Sequence, residues 1–295
     1  MKKIKHYVKS SLDFHDLVVS NKHHHPTDPG YKTRIRTLGS ISEPRFREYD
    51  FKFNNDKLEE LEEKEYTNKQ KADLKSLYDF DAQPFPLLYK ELSKDEKGRK
   101  NPYCPLCDME GVSSFDHILP QSKFPEFSDH PLNLIRSCQK CNGKKSSNWL
   151  EGEKRRYVNL YIDDIPNMQF LFVKIEIDKE EQSLIVEFSV ENRYGIESEL
   201  YQKIENHFVD LEICSRYEEG CSEVISSLQD DVVNNLDIGA SRDDIKSSIL
   251  NKCLREQTRY GVNYWRAILK QACAENEEIL DYIISKSLAG EDIVA

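Results

Sequence analysis

The stretch of residues 104–148, CPLCDMEGVSSFDHILPQSKFPEFSDHPLNLIRSCQKCNGKKSSN, decides the fold of the central part of this chain. It contains two Cys-x-x-Cys pairs, Cys104 with Cys107 and Cys138 with Cys141. Two such pairs supply the four soft ligands that a tetrahedral zinc ion needs, while the chain between them is looped out. The 30 residues between the pairs exceed the usual spacing of a bare zinc ribbon. We therefore predict a structural zinc site with an insert that carries function.

The insert has the pattern of a strand, a loop and a second strand. Residues 115–119 predict a short strand, and residues 132–137 predict its antiparallel partner. After the second cysteine pair, residues 142–145 are expected to begin a helix on which Trp149 and Leu150 are apolar positions. This order of elements predicts that polar residues from the first strand and from the helix share one site.

The order Asp-His-Ile-x-Pro, then Asn-Leu, then Cys-x-x-Cys-Asn resembles the four-cysteine form of the HNH nucleases, which have a ββα-metal fold. The resemblance implies that His117 is the general base that takes a proton from the attacking water. It implies that Asp116 and Asn142 hold one divalent cation, Mg²⁺ or Mn²⁺, against the scissile phosphate. Asn133 would fix the loop so that His117 is aimed, and the four cysteines would bind Zn²⁺. The last catalytic position is Asn here, where many members of the family have His.

The chemistry of these residue types agrees with that resemblance. Phosphodiester hydrolysis needs a nucleophile, charge relief on the phosphoryl oxygens and help for the leaving oxygen. A metal supplies the last two, and a neutral imidazole near its ordinary pKa activates the water. Basic residues beside the site are candidates for phosphate contacts, although a solvated helix start explains the two adjacent lysines equally well. These candidates are Lys140, Lys144, Lys145 and Arg136.

Composition limits the class of protein. The chain has 295 residues, a formal net charge of −11 and 32% charged residues. No apolar run approaches the length that spans a membrane, and the basic N-terminus lacks the apolar core of a secretory signal. The cysteines outside the two pairs lie in helical context, which is typical of reduced thiols in a cytoplasmic protein. They are Cys214, Cys221, Cys253 and Cys273.

Charge divides the chain into four segments. Residues 1–48 predict a basic N-terminal extension, 49–96 a helical support region, and 97–156 the nuclease module. Residues 157–295 hold 28 acidic and 13 basic residues and predict an acidic hairpin-plus-helical domain for structure or partner binding. Because the overall charge weakens non-specific association with DNA, we expect a partner or a restricted substrate to bring the site to its target.

The N-terminal extension is expected to be rich in turns, because Gly39 and Pro44 break its periodicity. Its arginines, among them Arg34 and Arg45, predict either an arm that follows a phosphate backbone or a solvated or partner-bound extension. The histidines of residues 23–25 could bind a metal, although three adjacent histidines in a loop more often have no such role.

The flanking regions are mostly helical in pattern. Residues 55–92 predict helices, and residues 169–178 with 183–190 predict a β-hairpin joined by a short polar turn. Apolar residues recur at helical spacing from residue 197, and Trp265 is expected to anchor a core. Later helices are predicted at 221–236, 241–258, 261–274 and 276–288. The fold class is therefore α+β, mostly helical, with a zinc-clamped ββα module and a C-terminal hairpin plus helices.

The sequence predicts a metal-dependent HNH endonuclease that hydrolyses DNA in a bacterial defence or restriction context. An ATPase or another sensor protein would license such a nuclease within an antiphage complex. The alternative is a non-catalytic zinc-bearing adaptor of a multiprotein complex. RNA is the less favoured substrate, because the sequence shows neither an RNA-binding module nor an aromatic stacking platform. No membrane partner is expected, and the sequence does not determine the oligomeric state.

Overall fold

The structure is a computed structural model that describes residues 1–23, 27–95, 98–145 and 147–295, and only the backbone at Ser40. His24 and His25, which belong to the predicted histidine run, lie outside the described residues.

The described chain divides into two compact units. The N-terminal unit is Lys3–Ile165, and the C-terminal unit is Pro166–Ala295 together with Met1–Lys2. The predicted division into four segments assigns roles as well as boundaries, and it stays a prediction.

Helices and three small antiparallel strand pairs make up the regular structure of the described residues. The N-terminal unit contains α1 (Ser11–Asn21), α2 (Tyr31–Asn54), α3 (Asn68–Lys75), α4 (Phe85–Leu92), β1 (Ser114–His117), β2 (Leu134–Ser137), α5 (Gln139–Lys144), β3 (Leu150–Glu151), β4 (Lys154–Arg155) and the 3-10 turns Leu58–Glu60 and Pro125–Phe127. The C-terminal unit contains β5 (Leu171–Asp178), β6 (Ser183–Val190), α6 (Ser198–Asp210), α7 (Ile213–Glu219), α8 (Cys221–Asp237), α9 (Arg242–Tyr260), α10 (Trp265–Glu275) and α11 (Glu277–Ala289). The predicted α+β, mostly helical fold class is confirmed.

Helix α2 corrects the prediction of a turn-rich N-terminal extension. It passes through Gly39 and Pro44 without interruption and ends at Asn54. Pro44 lies on the exposed face, so the helix loses one hydrogen bond where water is available. The opposite face buries apolar and aromatic side chains at helical spacing, and this burial outweighs the local cost. They are Ile35, Leu38, Phe46, Tyr49 and Phe53.

The arginines of α2 are engaged inside the unit. Arg34 donates through Nε to Asp73 at 2.6 Å. Arg45 donates through Nε to Glu126 at 3.0 Å, and Glu126 has no exposed surface. The predicted phosphate-following arm is therefore wrong for these two guanidinium groups, because carboxylates of the same unit already neutralise them.

The region between α2 and the first cysteine pair is less helical than predicted. Residues 55–92 contain α3, α4 and a single 3-10 turn, and residues 61–66 are not helical. Leu58 and Leu61 are nevertheless buried, so their apolar spacing reflects burial in an irregular segment.

The central insert folds as a strand, a long loop, a second strand and a helix. Strands β1 and β2 pair antiparallel, with Asp116 opposite Ile135 and His117 opposite Leu134. Helix α5 follows directly but ends at Lys144, so the predicted extension to Trp149 is wrong. Trp149 is instead buried outside the helix, with its ring 5.3 Å from that of Phe124.

The C-terminal unit follows its hydrophobic pattern closely. Its hairpin pairs Leu171 with Val190 through to Asp178 with Ser183, within two residues of the predicted ends. The four later helices also begin and end within a few residues of their predicted limits. Trp265 has no exposed surface and stacks on Tyr217 with ring centroids 4.8 Å apart, as expected of a core anchor.

None of the helices in the described part of the chain combines the length and the apolarity that crossing a bilayer requires.

Candidate active site and metal centre

The two Cys-x-x-Cys pairs converge on one point. The sulfur atoms of Cys104, Cys107, Cys138 and Cys141 all lie within 4.8 Å of one another, and all four side chains are buried. The Sγ atoms of Cys107 and Cys138 are 3.9 Å apart. Four thiolates bonded to zinc at about 2.3 Å in a tetrahedron stand about 3.8 Å from each other. The cluster therefore has the ligand type, number and spacing of a structural zinc site.

Local backbone structure prepares each cysteine pair for a metal. At the first pair, the amide of Asp108 donates to the carbonyl of Cys104 at 2.8 Å, and Asp108 itself has a positive φ of 52°. At the second pair, Cys138 is the N-cap of α5, and its sulfur accepts from the amide of Cys141 at 3.4 Å. Hydrogen bonds from the other cysteines lower the pKa of Cys138, whereas burial and hydrogen bonds raise the pKa of Cys104.

Asn133 ties the long loop to the start of β2. Its Oδ1 accepts from the amide of Leu119 at 2.7 Å and from the hydroxyl of Tyr49 at 3.1 Å. Its Nδ2 donates to the carbonyls of Leu119 at 3.1 Å and Phe127 at 3.0 Å. The amide has no exposed surface, so the geometry matches a residue that fixes the loop.

His117 closes β1, and its imidazole contacts the far end of the long loop. Its Nε2 lies 2.8 Å from the carbonyl oxygen of Ser128. A carbonyl only accepts, so Nε2 carries the proton and Nδ1 keeps its lone pair. Burial lowers the pKa of His117 to about 4, and the Lys145 charge acts in the same direction. The imidazole is thus neutral at pH 7, as a general base must be.

The carboxylate of Asp116 faces a lysine. Asp116 is 5% exposed, and its Oδ2 lies 2.7 Å from Nζ of Lys145, which also donates to the carbonyl of His117 at 2.7 Å. Burial raises the pKa of Asp116, and the Lys145 ammonium opposes that rise. A buried carboxylate paired with a cation is a suitable ligand for a hard divalent metal, which would compete with Lys145 for the same oxygen.

Asn142 lies on α5, which packs against β1. Its Nδ2 donates to Oγ of Ser114 at 3.1 Å, and Ser114 precedes Asp116 by two residues on the strand. Asn142 therefore contacts β1 two residues before Asp116. Their side chains contact different partners, Ser114 and Lys145, so that a shared cation requires both contacts to change.

The basic residues predicted to contact phosphate have different environments. Arg136 is 3% exposed and donates to the carbonyl of Asn101 at 2.8 Å. Because burial keeps this guanidinium from a substrate, the predicted phosphate contact does not fit Arg136. Lys140 is largely exposed and lies 3.2 Å from Glu110. Lys144 ends α5 beside Lys145.

Several residues near the site were not singled out from the sequence. The hydroxyl of Tyr78 accepts from the amide of Phe115 at 2.8 Å and donates to its carbonyl at 3.1 Å. The Tyr78 ring packs edge-on against His117 with centroids 4.9 Å apart. Tyr78 has the spacing of an ordinary apolar position, and Ser128 acts through its backbone carbonyl, so neither gave a signal in the sequence.

Comparison with known families identifies the central stretch. The model of the HNH endonuclease family matches residues 104–148. These residues form an HNH endonuclease domain. The match contains both cysteine pairs together with Asp116, His117 and Asn142. The HNH domain thus includes the four-cysteine cluster, strand β1 and helix α5 in one segment.

The similarity to a curated protein extends beyond the HNH domain. The chain is 29% identical over 185 residues to protein ea31 of Escherichia phage lambda. The aligned part covers 59% of this chain and 62% of the phage protein, so the chain spans about three-fifths of the length of this relative. No solved structure matches the chain.

Proposed function

We propose that the chain is a metal-dependent HNH endonuclease that hydrolyses phosphodiester bonds in DNA. One observation carries this proposal: Nε2 of His117 lies 2.8 Å from the Ser128 carbonyl, which leaves Nδ1 as the basic nitrogen, and His117 follows directly after the buried carboxylate of Asp116. A base with a free nitrogen beside a cation-binding carboxylate is the arrangement that metal-assisted hydrolysis needs.

Each residue has a role in this proposal. Nδ1 of His117 takes the proton from the attacking water. Asp116 and Asn142 would hold a Mg²⁺ or Mn²⁺ ion, which when bound supplies charge neutralisation on the phosphoryl oxygens. Lys145, which pairs with Asp116 in this structure, would then pair with the substrate phosphate, so that the carboxylate would keep a cationic partner. The four cysteines would hold Zn²⁺ and keep α5 in place against β1.

DNA is the proposed substrate, with Lys140 and Lys144 as backbone contacts. The sequence offers no RNA-binding module, which favours DNA over RNA. The acidic residues of segment 157–295 oppose non-specific binding to nucleic acid, so we propose that an ATPase or sensor protein delivers the enzyme to its target. A defence role against phage and a cytoplasmic location complete the proposal. None of the eight cysteines forms a disulfide among the described residues, which supports a reducing compartment.

A cleavage assay on supercoiled plasmid tests the proposal. Wild type and His117→Ala are compared with Mg²⁺, with Mn²⁺ and with a chelator. We expect His117→Ala to lose on the order of 10²- to 10⁴-fold in rate, because the general base is removed. His207→Ala is the matched control, since His207 is a buried histidine of the C-terminal unit, and it is expected to keep wild-type cleavage.

Zinc content and tryptophan fluorescence show whether each variant remains folded. Cleavage that survives His117→Ala unchanged contradicts the proposed mechanism. If the wild-type protein, with or without co-purifying partners, cuts neither DNA nor RNA under any metal condition, the adaptor function is supported instead. The acidic segment 157–295, which suits partner binding, is the observation that favours that second candidate.

A further inference from the structure

A buried tripeptide, Ser128–His130, occupies the end of the loop between β1 and β2. All three side chains have no exposed surface. The Asp129 Oδ2 atom lies 2.7 Å from Nδ1 of His15, which is itself 4% exposed and belongs to α1. One histidine–carboxylate pair thus ties this loop to the first helix of the chain.

A second pair ties the same tripeptide to α2. Nε2 of His130 lies 3.3 Å from Oδ1 of Asp50, and Ser11 of α1 donates to that oxygen at 2.8 Å. The ring of Phe46 lies between the two histidines, with centroids 4.9 Å from His15 and 4.4 Å from His130. Helices α1 and α2 therefore hold the tripeptide through two histidine–aspartate pairs that share one aromatic ring.

This arrangement bears on the catalytic imidazole. The carbonyl of Ser128, which accepts from Nε2 of His117, lies in the same planar peptide unit as the amide of Asp129. Anchoring Asp129 on His15 therefore fixes the direction of that carbonyl. The direction of the carbonyl in turn fixes which nitrogen of His117 is protonated and where the other nitrogen points.

The energetics also indicate a positioning role. Burying a carboxylate is costly unless it is paired, and an apolar pair of the same volume is often as stable or more stable. Asp129 keeps one oxygen, Oδ1, without a hydrogen-bond partner among the described residues. Burial alone would lower the pKa of His15, but the charge and hydrogen bond of Asp129 raise it above its ordinary value. Relative to an apolar pair of the same volume, a charged pair in this place costs stability, while it constrains the backbone strongly.

We propose that His15 and Asp129 are positioning residues that orient His117 through the Ser128 carbonyl. This inference rests on the proposed nuclease function. It extends the working unit beyond residues 104–148, because His15 comes from α1. The matched family segment alone lacks one half of the pair.

The test compares Asp129→Asn and His15→Gln with a matched control, Asp73→Asn. Asp73 is 3% exposed and is paired with Arg34 of α2, so the control also breaks a buried pair of the same unit, but one that includes none of residues 128–130. Three properties are measured on the full chain. They are the rate of plasmid cleavage, the zinc content, and the ¹⁵N shifts of the His117 imidazole, which report the tautomer.

We expect Asp129→Asn and His15→Gln to mix the two tautomers of His117 and to lower kcat on the order of 10- to 100-fold, with zinc retained. Asp73→Asn should stay within about threefold of wild type and keep a single tautomer. Equal behaviour of Asp129→Asn and Asp73→Asn in both readouts overturns the inference.

A double variant covers the case in which the single variants do not fold. His15→Phe with Asp129→Leu replaces the pair by apolar groups of similar size. We expect this variant to stay folded and to show the same loss of kcat and the same tautomer mixing. If the double variant folds and keeps both the wild-type kcat and the single tautomer of His117, the inference fails. If the wild-type protein does not cleave but its tautomer depends on Asp129, the proposed function fails while the positioning role stands.

Discussion

The two units differ in which groups they bury completely. Among the described residues, the polar side chains with no exposed surface all fall between residues 126 and 137 of the N-terminal unit. The C-terminal unit buries polar groups less completely, as with Lys203, which reaches the partly exposed Glu199 at 2.9 Å. Its core also contains Trp265 and Ile204, which are fully enclosed.

This difference separates packing from positioning. A long lysine stem covers apolar surface while its charged end stays near water, which costs little. Complete burial of Asp129, His130 and Asn133 is expensive unless each group is paired in a fixed geometry. The N-terminal unit therefore gives up stability to hold the loop of the HNH domain in one arrangement, whereas the C-terminal unit relies more on apolar packing.

The largest expected difference is between the removal of a cysteine from the metal cluster and the removal of a buried cysteine from the C-terminal unit. Cys141→Ala and Cys273→Ala both remove a thiol with no exposed surface. Structural zinc contributes about 10–16 kcal/mol in small metal-binding domains, more than the whole stability of most domains. Cys141→Ala should lose about one zinc per chain and unfold the N-terminal unit, as seen in Trp149 fluorescence.

Cys273→Ala should keep its zinc and cost the C-terminal unit about 1–2 kcal/mol, reported by Trp265. Metal analysis and single-tryptophan denaturation curves check both outcomes, because each unit contains one of the two tryptophans. A zinc content that Cys141→Ala leaves unchanged would contradict the assignment of Cys141 as a zinc ligand.

The next largest effect is the destabilisation expected when a buried asparagine of either unit is replaced by alanine. Asn133→Ala breaks four hydrogen bonds in the N-terminal unit, and Asn263→Ala breaks three in the C-terminal unit, to Phe170, Leu171 and Met168. Each leaves buried backbone groups without that partner, so we expect about 2–5 kcal/mol of destabilisation in the affected unit.

Cleavage distinguishes the two asparagine variants. Under conditions where both are folded, Asn133→Ala should also lower cleavage at least about tenfold, because the loop that aims His117 is loosened. Asn263→Ala should not change the rate. Urea denaturation followed by plasmid cleavage measures both properties, and equal losses of cleavage in the two variants would break the distinction between positioning and packing.

The smallest effect is a pH dependence of the N-terminal unit. The pKa of His15 is raised above its ordinary value of 6.5 although burial opposes this, because Asp129 and, more weakly, Asp16 favour the charged ring. A raised pKa contributes stability that is complete below about pH 6.5 and is lost as the pH rises through the folded value. The stability difference between wild type and His15→Gln should therefore shrink from pH 6 to pH 9.

The C-terminal unit should respond in the opposite sense. Hydrogen bonds from Lys246 and Arg242 lower the pKa of Glu277, so its contribution is present above the ordinary value of 4.5 and is lost as the pH falls. Denaturation curves recorded through Trp149 between pH 6 and pH 9, and through Trp265 as the pH falls below about 4.5, separate the two responses. A His15→Gln difference that does not change with pH would show that the His15–Asp129 pair is not charged.

The sequence by itself determined the elements whose signal is local. Ligand spacing identified the four-cysteine cluster, because a zinc site needs four thiolates on two short turns. Apolar alternation and helical periodicity located the hairpin and the helices of the C-terminal unit, since burial of one face leaves a regular pattern. The order of Asp116, His117 and Asn142 pointed to their positions on β1 and α5.

Only the tertiary structure decided what depends on residues distant in sequence. The continuation of α2 through Pro44 depends on the face that it buries, and the internal role of Arg136 depends on the Asn101 carbonyl that it meets. The pairing of His15 with Asp129 joins residues 114 positions apart, which leaves no periodic or spacing signal. Local sequence patterns indicate which groups are buried. Contacts between distant parts of the chain determine which partner offsets the free-energy cost of burying a charge.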